Sequence, residues 1–186
     1  TSLAGAELRF DAWGLDCAFA GTQKCLALPP GLCVFAVSAR GRERAATIDE
    51  RGFLLDFVRA IPATAAGQPI ATPCVPLLLA LQRQLHRIAA EGMAARWARH
   101  LAMRATTLAW AEARGFRPFV ADAAARSPTV SCLDAQGADV AELAGRASDA
   151  GFKIDQGYGP LKGKAFRIGH MGDHDLPDLD RLLAAI

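Results

Sequence analysis

Lys24 stands in FAGTQKCLALPPGLCVFAVS (residues 19–38), an ammonium group between two apolar stretches and shortly before Pro-Pro-Gly. A lysine so placed must reach water, meet an anion or lose its proton. Its pKa in water is about 10.4, and desolvation lowers it by several units. The freed lone pair can attack a carbonyl to give a Schiff base. A small-residue strand that ends at Gly21 and opens into a loop is also where open α/β sheets place ligands. A lysine that buries only its methylene stem and keeps its head in water fits the same pattern. The local sequence leaves both readings open.

A second candidate is Arg167, alone among apolar neighbours in KAFRIGHMG. Strand alternation points it away from Phe166 and Ile168. Facing a cleft, its guanidinium is the natural bidentate partner of a carboxylate; facing water, it has no such role. His170 and His174 have the i, i+4 spacing of a shared metal on a helix. Gly172 between them marks a strand-to-helix turn, and no third ligand is near in sequence, which argues against a metal. GYGPLKGKA (157–165) lacks Walker spacing and a Ser/Thr after Lys164, so it reads as a flexible loop. Asp173/Asp175 and Asp178/Asp180 bracket the start of a last helix, where they complement its dipole.

The elements that must position these groups follow from periodicity and punctuation. Residues 17–21 and 32–38 read as buried strands joined through Pro-Pro-Gly, and 39–45 as a charged, solvated connection. Residues 49–60 fit a strand or a short helix, and 63–73 a loop. Leu77, Leu78, Leu81, Leu85 and Ile88 share one face of a helix through 75–90. Glu91-Gly92 interrupts it. A second helix follows, with Met93, Trp97, Leu101, Leu108 and Ala111 inward, Arg96, Arg99 and Arg104 on a solvated face, and Gly115 at its end. A strand at 128–134, a helix at 140–151, a strand at 164–172 and a helix at 176–186 complete an α/β layer with helices over a short sheet. A boundary falls near residue 91. No internal repeats occur.

The whole chain sets wider limits. Its 186 residues, 52% hydrophobic and 22% charged, suit a globular protein with a real core. A net charge of +2 from mixed signs gives no reason to expect nucleic acid or an anionic membrane. No run approaches transmembrane length and no signal pattern opens the chain, so no membrane is expected. Five widely spaced cysteines without a C-x-x-C make a poor disulfide or zinc framework and point to a reducing, cytoplasmic setting. The start at Thr1, inside ordered sequence, has the look of a cut.

Four stretches occur together in one family: DAWGLDCAFAGTQKCLALPPGLCVFAVS, ATP before the Leu-rich helix, EGMAARWARH, and GPLKGKAFRIGHMGD. From residue 2 to 186 the chain resembles the C-terminal half of a class V pyridoxal-phosphate aminotransferase of the alanine–glyoxylate or serine–pyruvate type. T-Q-K with Pro-Pro-Gly, and F-R-I-G-H-M-G, are the most specific motifs. The resemblance implies an α/β chain forming the C-terminal part of the PLP-dependent transferase fold type I. Residues 1–90 would be the end of the large PLP-binding domain and its sheet, and 91–186 a small α/β domain. It implies ping-pong transfer from alanine or serine to glyoxylate or pyruvate, in a homodimer with its active site at the interface. Lys24 would hold pyridoxal 5′-phosphate as a Schiff base and shuttle the proton between Cα and C4′. Gln23 and Thr22 would bind the phosphate, Thr72 would reach the phosphate of the neighbouring subunit's cofactor, and Arg167 would clamp the substrate α-carboxylate.

Two departures from the family pattern stand out. Pro69 occupies the place of a phosphate-binding tyrosine, leaving Thr72 alone there. The aspartate that pairs with the pyridinium nitrogen, the stacking aromatic ring and the helix-start phosphate cradle would all precede Thr1. Without that aspartate the ring nitrogen need not stay protonated and the cofactor is a weaker electron sink. The chain alone is therefore expected to lack competence and to leave sheet edges and apolar surface uncovered. A PLP-dependent lyase, another transaminase on the same fold, or a non-catalytic folded module are the alternatives.

Overall fold

The change of unit comes inside a helix. In the computed structural model, which describes residues 2–186, one compact unit runs to Arg87; the second runs from Ile88 to Ile186 and takes in Gly5–Glu7.

In the first unit, β1 (Cys17–Gly21) and β2 (Cys33–Val37) pair antiparallel, Cys17 opposite Val37 and Gly21 opposite Cys33. Both expected strands form, but they are not buried as expected. Phe19 is 50% exposed and Phe35 44%, in a ribbon of only two strands. The charged stretch after β2 is a helix, α1 (Ala39–Ala46), rather than an irregular connection. Ser38 caps it: its Oγ accepts from the Gly41 N–H and donates to Asp16 Oδ1, both at 2.9 Å. Asp56 likewise accepts from the Val58 and Arg59 N–H groups and starts α2 (Phe57–Ala65), so of the ambiguous stretch 49–60 only the end is helical, residues 49–56 being irregular, and the helix extends into the expected loop.

The long helix α3 (Val75–Glu91) forms where the leucine spacing puts it. Leu77 and Ile88 are buried, while Leu78 and Leu85 are exposed and Gln84 takes the inner position.

The second unit holds the core. In α4 (Met93–Ala113) the buried residues are Arg96, His100, Met103, Thr107 and Ala111, so the inward stripe is rotated from the one expected. Leu101 is 45% exposed and Arg96 only 2%. An alanine-rich helix offers more than one apolar stripe, and the charge partners decide between them: Arg96 meets Glu91 at 2.6 Å and Asp173 at 2.8 Å. Three antiparallel strands follow in the order β3 (Arg117–Pro118), β4 (Val130–Asp134) and β5 (Ala165–Gly169). The two-residue β3 is too short to show a period and was not anticipated. Asp139 caps α5 (Val140–Asp149) and Asp175 caps α6 (Leu176–Ala185). Met103, Leu133, Leu143, Phe166, Ile168 and Leu182 fill the space between sheet and helices. Among the described residues no helix is long and apolar enough to cross a membrane.

Candidate cofactor and substrate sites

β1 ends at Gly21, and residues 22–26 form a turn pinned from below. Thr22 is fully buried; its N–H donates to Leu32 O at 3.2 Å, and its hydroxyl donates to Pro29 O at 2.8 Å. Its carbonyl accepts from the Leu28 N–H at 3.0 Å. Thr22 thus ties the turn to both sides of Pro-Pro-Gly, and its hydroxyl is buried against the Pro29 carbonyl. Cys25 and Leu26 are buried beside it. Gly31 closes the loop with φ 144°, and a Cβ there would lie 2.9 Å from Leu77 Cδ2 on α3. Only glycine meets both demands without a shift.

Between these anchors Gln23 and Lys24 are exposed. Of the two readings the local sequence left open, Lys24 takes the exposed one; the amine is presented on the turn. The Gln23 amide lies over Gly21, where a Cβ would come within 2.5 Å of Oε1. Thr72 is also exposed, three residues before α3. A primary amine, a carboxamide and a hydroxyl, all accessible, fit a phosphorylated aldehyde; Thr22 fits it only as the residue that shapes the turn.

In the second unit, Phe166 and Ile168 are fully buried and Arg167 between them is exposed, as strand alternation requires. The guanidinium meets Asp155 twice, Nε to Oδ1 at 2.8 Å and Nη2 to Oδ2 at 2.7 Å. This hydrogen-bonded carboxylate raises the Arg167 pKa. Asp155 was not singled out in the sequence, since an aspartate two residues before a glycine reads as an ordinary turn residue.

His170 and His174 stand in different surroundings. His170 is 1% exposed and its Nε2 lies 2.9 Å from Ser131 Oγ. Burial pushes its pKa down to about 4, and Nδ1 has no hydrogen-bond partner among the described residues. His174 is exposed, with Nδ1 3.9 Å from Asp178. Among the described residues no three His, Cys, Asp or Glu side chains are grouped to hold a metal. Asp175 does cap the last helix, whereas Asp173 serves Arg96.

No protein-family model matches the chain. It is 33% identical over 180 residues to the alanine–glyoxylate aminotransferase of Callithrix jacchus, covering 92% of this chain and 43% of that one. It is 33% identical over 175 residues to a soluble hydrogenase small subunit of Synechococcus sp., covering 92% and 45%. Among solved structures, an alanine–glyoxylate aminotransferase from Nostoc sp. superposes with a TM-score of 0.89 at 29% identity, over 100% of this chain and 50% of that chain. The chain spans about half the length of the curated relatives it matches. Sequence and fold agree along the chain: its relatives over 92% of its length are class V aminotransferases, and it has the architecture of the C-terminal half of such a chain.

Proposed function

We propose that Lys24 is the cofactor-bearing lysine of an aminotransferase that moves the amino group of a small amino acid, alanine or serine, to a 2-oxo acid. Relatives named for alanine, serine, aspartate and ureidoglycine as donors share glyoxylate as acceptor, which favours glyoxylate over pyruvate here. The observation that carries the reading is the turn itself, in which buried Thr22, Cys25 and Leu26 hold Gln23 and Lys24 out into the open. Pyridoxal 5′-phosphate, when bound, supplies the electron sink for the substrate Cα.

The chain's own residues do the rest. Lys24 Nζ would hold the cofactor through its aldehyde group, and its amine would serve as the base that moves the substrate Cα proton. Gln23 and Thr72 donate hydrogen bonds to the phosphate, Thr72 to that of a second subunit, while Thr22 holds the turn in shape. Arg167 pairs with the α-carboxylate. In this reading residues 1–90 are the end of the large domain, residues 91–186 the small domain, and the protein a cytoplasmic homodimer working by a ping-pong cycle.

The test is chemical trapping. The protein is incubated with pyridoxal phosphate, reduced with borohydride and mapped by peptide mass. A phosphopyridoxyl adduct on the Lys24 peptide, absent in Lys24→Ala, is the expected result. An adduct undiminished in Lys24→Ala, or located on another lysine, would sink the assignment.

A further inference from the structure

An arginine fork has two edges that accept a carboxylate: a side edge, Nε with Nη2, and an end edge, Nη1 with Nη2. Asp155 occupies the side edge of Arg167. Among the described residues nothing accepts from Nη1, so the end edge is open.

Asp155 is itself firmly held. Residues 155 and 167 exchange both backbone hydrogen bonds, at 3.1 and 2.9 Å, outside the regular sheet. The Gly157 N–H donates to Asp155 Oδ1 at 2.9 Å. Gly157 has φ 85°, and a Cβ there would come 2.2 Å from Leu161 O and 2.8 Å from Ala165 O, so the corner admits only glycine. Beyond it the chain doubles back through a 3-10 turn at Gly159–Leu161, with the Gly163 N–H on Gln156 O and the Lys164 N–H on Leu161 O, both at 3.0 Å. The glycine-rich stretch that reads as a flexible loop is a closed brace.

We propose that Asp155, anchored by the Gly157 corner, is a positioning residue that fixes the side edge of Arg167 so that its end edge is presented to the substrate carboxylate. The proposal rests on the reading that Arg167 binds that carboxylate. Two opposing effects attend a carboxylate beside the arginine. It lowers the local positive charge and could compete with substrate. It also removes the freedom of a long side chain before substrate arrives, so less ordering remains to oppose binding. The geometry favours the second effect, because substrate and Asp155 use different edges and Asp155 is tied down by its backbone and by Gly157.

Asp155→Ala, Asp155→Asn and Arg167→Ala are compared in the cofactor-loaded protein. Asp155→Ala is expected to raise KM for both amino acid and 2-oxo acid about tenfold, with kcat and Lys24 labelling little changed. Asp155→Asn keeps an acceptor for the Gly157 N–H and one bond to the fork, and falls between; it also serves if the alanine variant folds poorly. A lowered KM in Asp155→Ala makes Asp155 a competitor and overturns the proposal. An unchanged KM beside a raised one in Arg167→Ala overturns it while the aminotransferase reading stands. No KM change in Arg167→Ala overturns that reading itself. A second measurement needs no turnover: the Arg167 Nε–H NMR signal of the 15N-labelled chain, followed during titration with pyruvate. A slowly exchanging Nε–H that persists supports the brace. An Nε–H as fast as in Asp155→Ala, or lost on adding pyruvate, overturns it.

Discussion

Two five-residue strands meet opposite fates. CVFAV in β2 is the more apolar, yet four of its residues are exposed; AFRIG in β5 contains an arginine and a glycine, yet Ala165, Phe166 and Ile168 are fully buried. The difference lies in the layers around them. β5 sits at the edge of a three-stranded sheet under α4 and α6, with Phe116 edge-on to Phe166 at 5.1 Å, whereas β2 pairs with β1 in a ribbon. Apolar content states what a strand can bury, and the neighbouring layer decides what it does bury. The candidate groups divide in the same way. Arg167 rides on a strand whose other face is core, and Lys24 on a turn whose rigidity comes from a few buried anchors.

Phe166→Ala gives the largest expected effect. The side chain is fully buried, and its removal should cost about 3–5 kcal/mol. Phe19→Ala, in the ribbon, should cost only about 1 kcal/mol, since half of that ring already faces water. Because two units need not melt together, hydrogen exchange followed by segment is the right measurement. Protection of β4 and β5 should fall in the first variant and remain in the second. Equal losses would mean the ribbon is as firmly built as the core, and the contrast between the strands would be gone.

His170 sharpens the contrast through pH. Its folded pKa of about 4 lies below the unfolded value near 6.5. Between these values the unfolded chain binds more protons, so stability rises with pH. His170 therefore costs nothing above about pH 6.5, and destabilises the second unit as pH falls toward 4, by on the order of 3 kcal/mol at the end of the window. His170→Gln, which keeps an amide for Ser131, should flatten that slope in the β4–β5 segment and leave the β1–β2 segment unmoved. Carboxylates titrate in the same window in both proteins, so the difference between the two profiles is the readout. Parallel profiles would show that His170 is not held neutral by burial.

Much of this was legible in the sequence, for identifiable reasons. The second unit's two longer strands and its helices followed from alternation and 3.6-residue spacing, and the exposure of Arg167 from its buried neighbours Phe166 and Ile168. Three features were not legible. The phase of α4 depended on Glu91 and Asp173, the second of them 77 residues from Arg96. The helix at Ala39–Ala46 was hidden because charge suggested a solvated link, while the informative residue was Ser38, whose role as a cap shows only with Asp16 beside it. The pairing of Asp155 with Arg167 depends on a β-bridge between residues 12 apart, which no local pattern announces. Lys24 was singled out from T-Q-K and Pro-Pro-Gly, but the flanking apolar runs left open whether its amine reached water, which the turn after β1 decides.

The smallest expected effect tests the other half of the contrast. Gly31 combines φ 144° with a would-be Cβ 2.9 Å from Leu77 Cδ2, and Leu77 is itself buried on α3. Gly31→Ala therefore meets backbone strain and a steric clash together, at about 1–3 kcal/mol. Gly14→Ala is the control, because Gly14 has φ 60° with nothing within 4 Å of its would-be Cβ, and so meets strain alone. If the Pro-Pro-Gly loop presents Lys24 by clamping Thr22, Gly31→Ala should slow borohydride-trapped labelling of Lys24 several-fold beyond Gly14→Ala, while exchange protection in β4 and β5 stays unchanged. If labelling is as fast as in the unaltered chain, the turn does not need that loop to hold the amine out. The rigidity attributed to a few buried anchors would then have to come from β1 and Cys25 instead, and the lysine's placement would be a property of the strand, as the arginine's is.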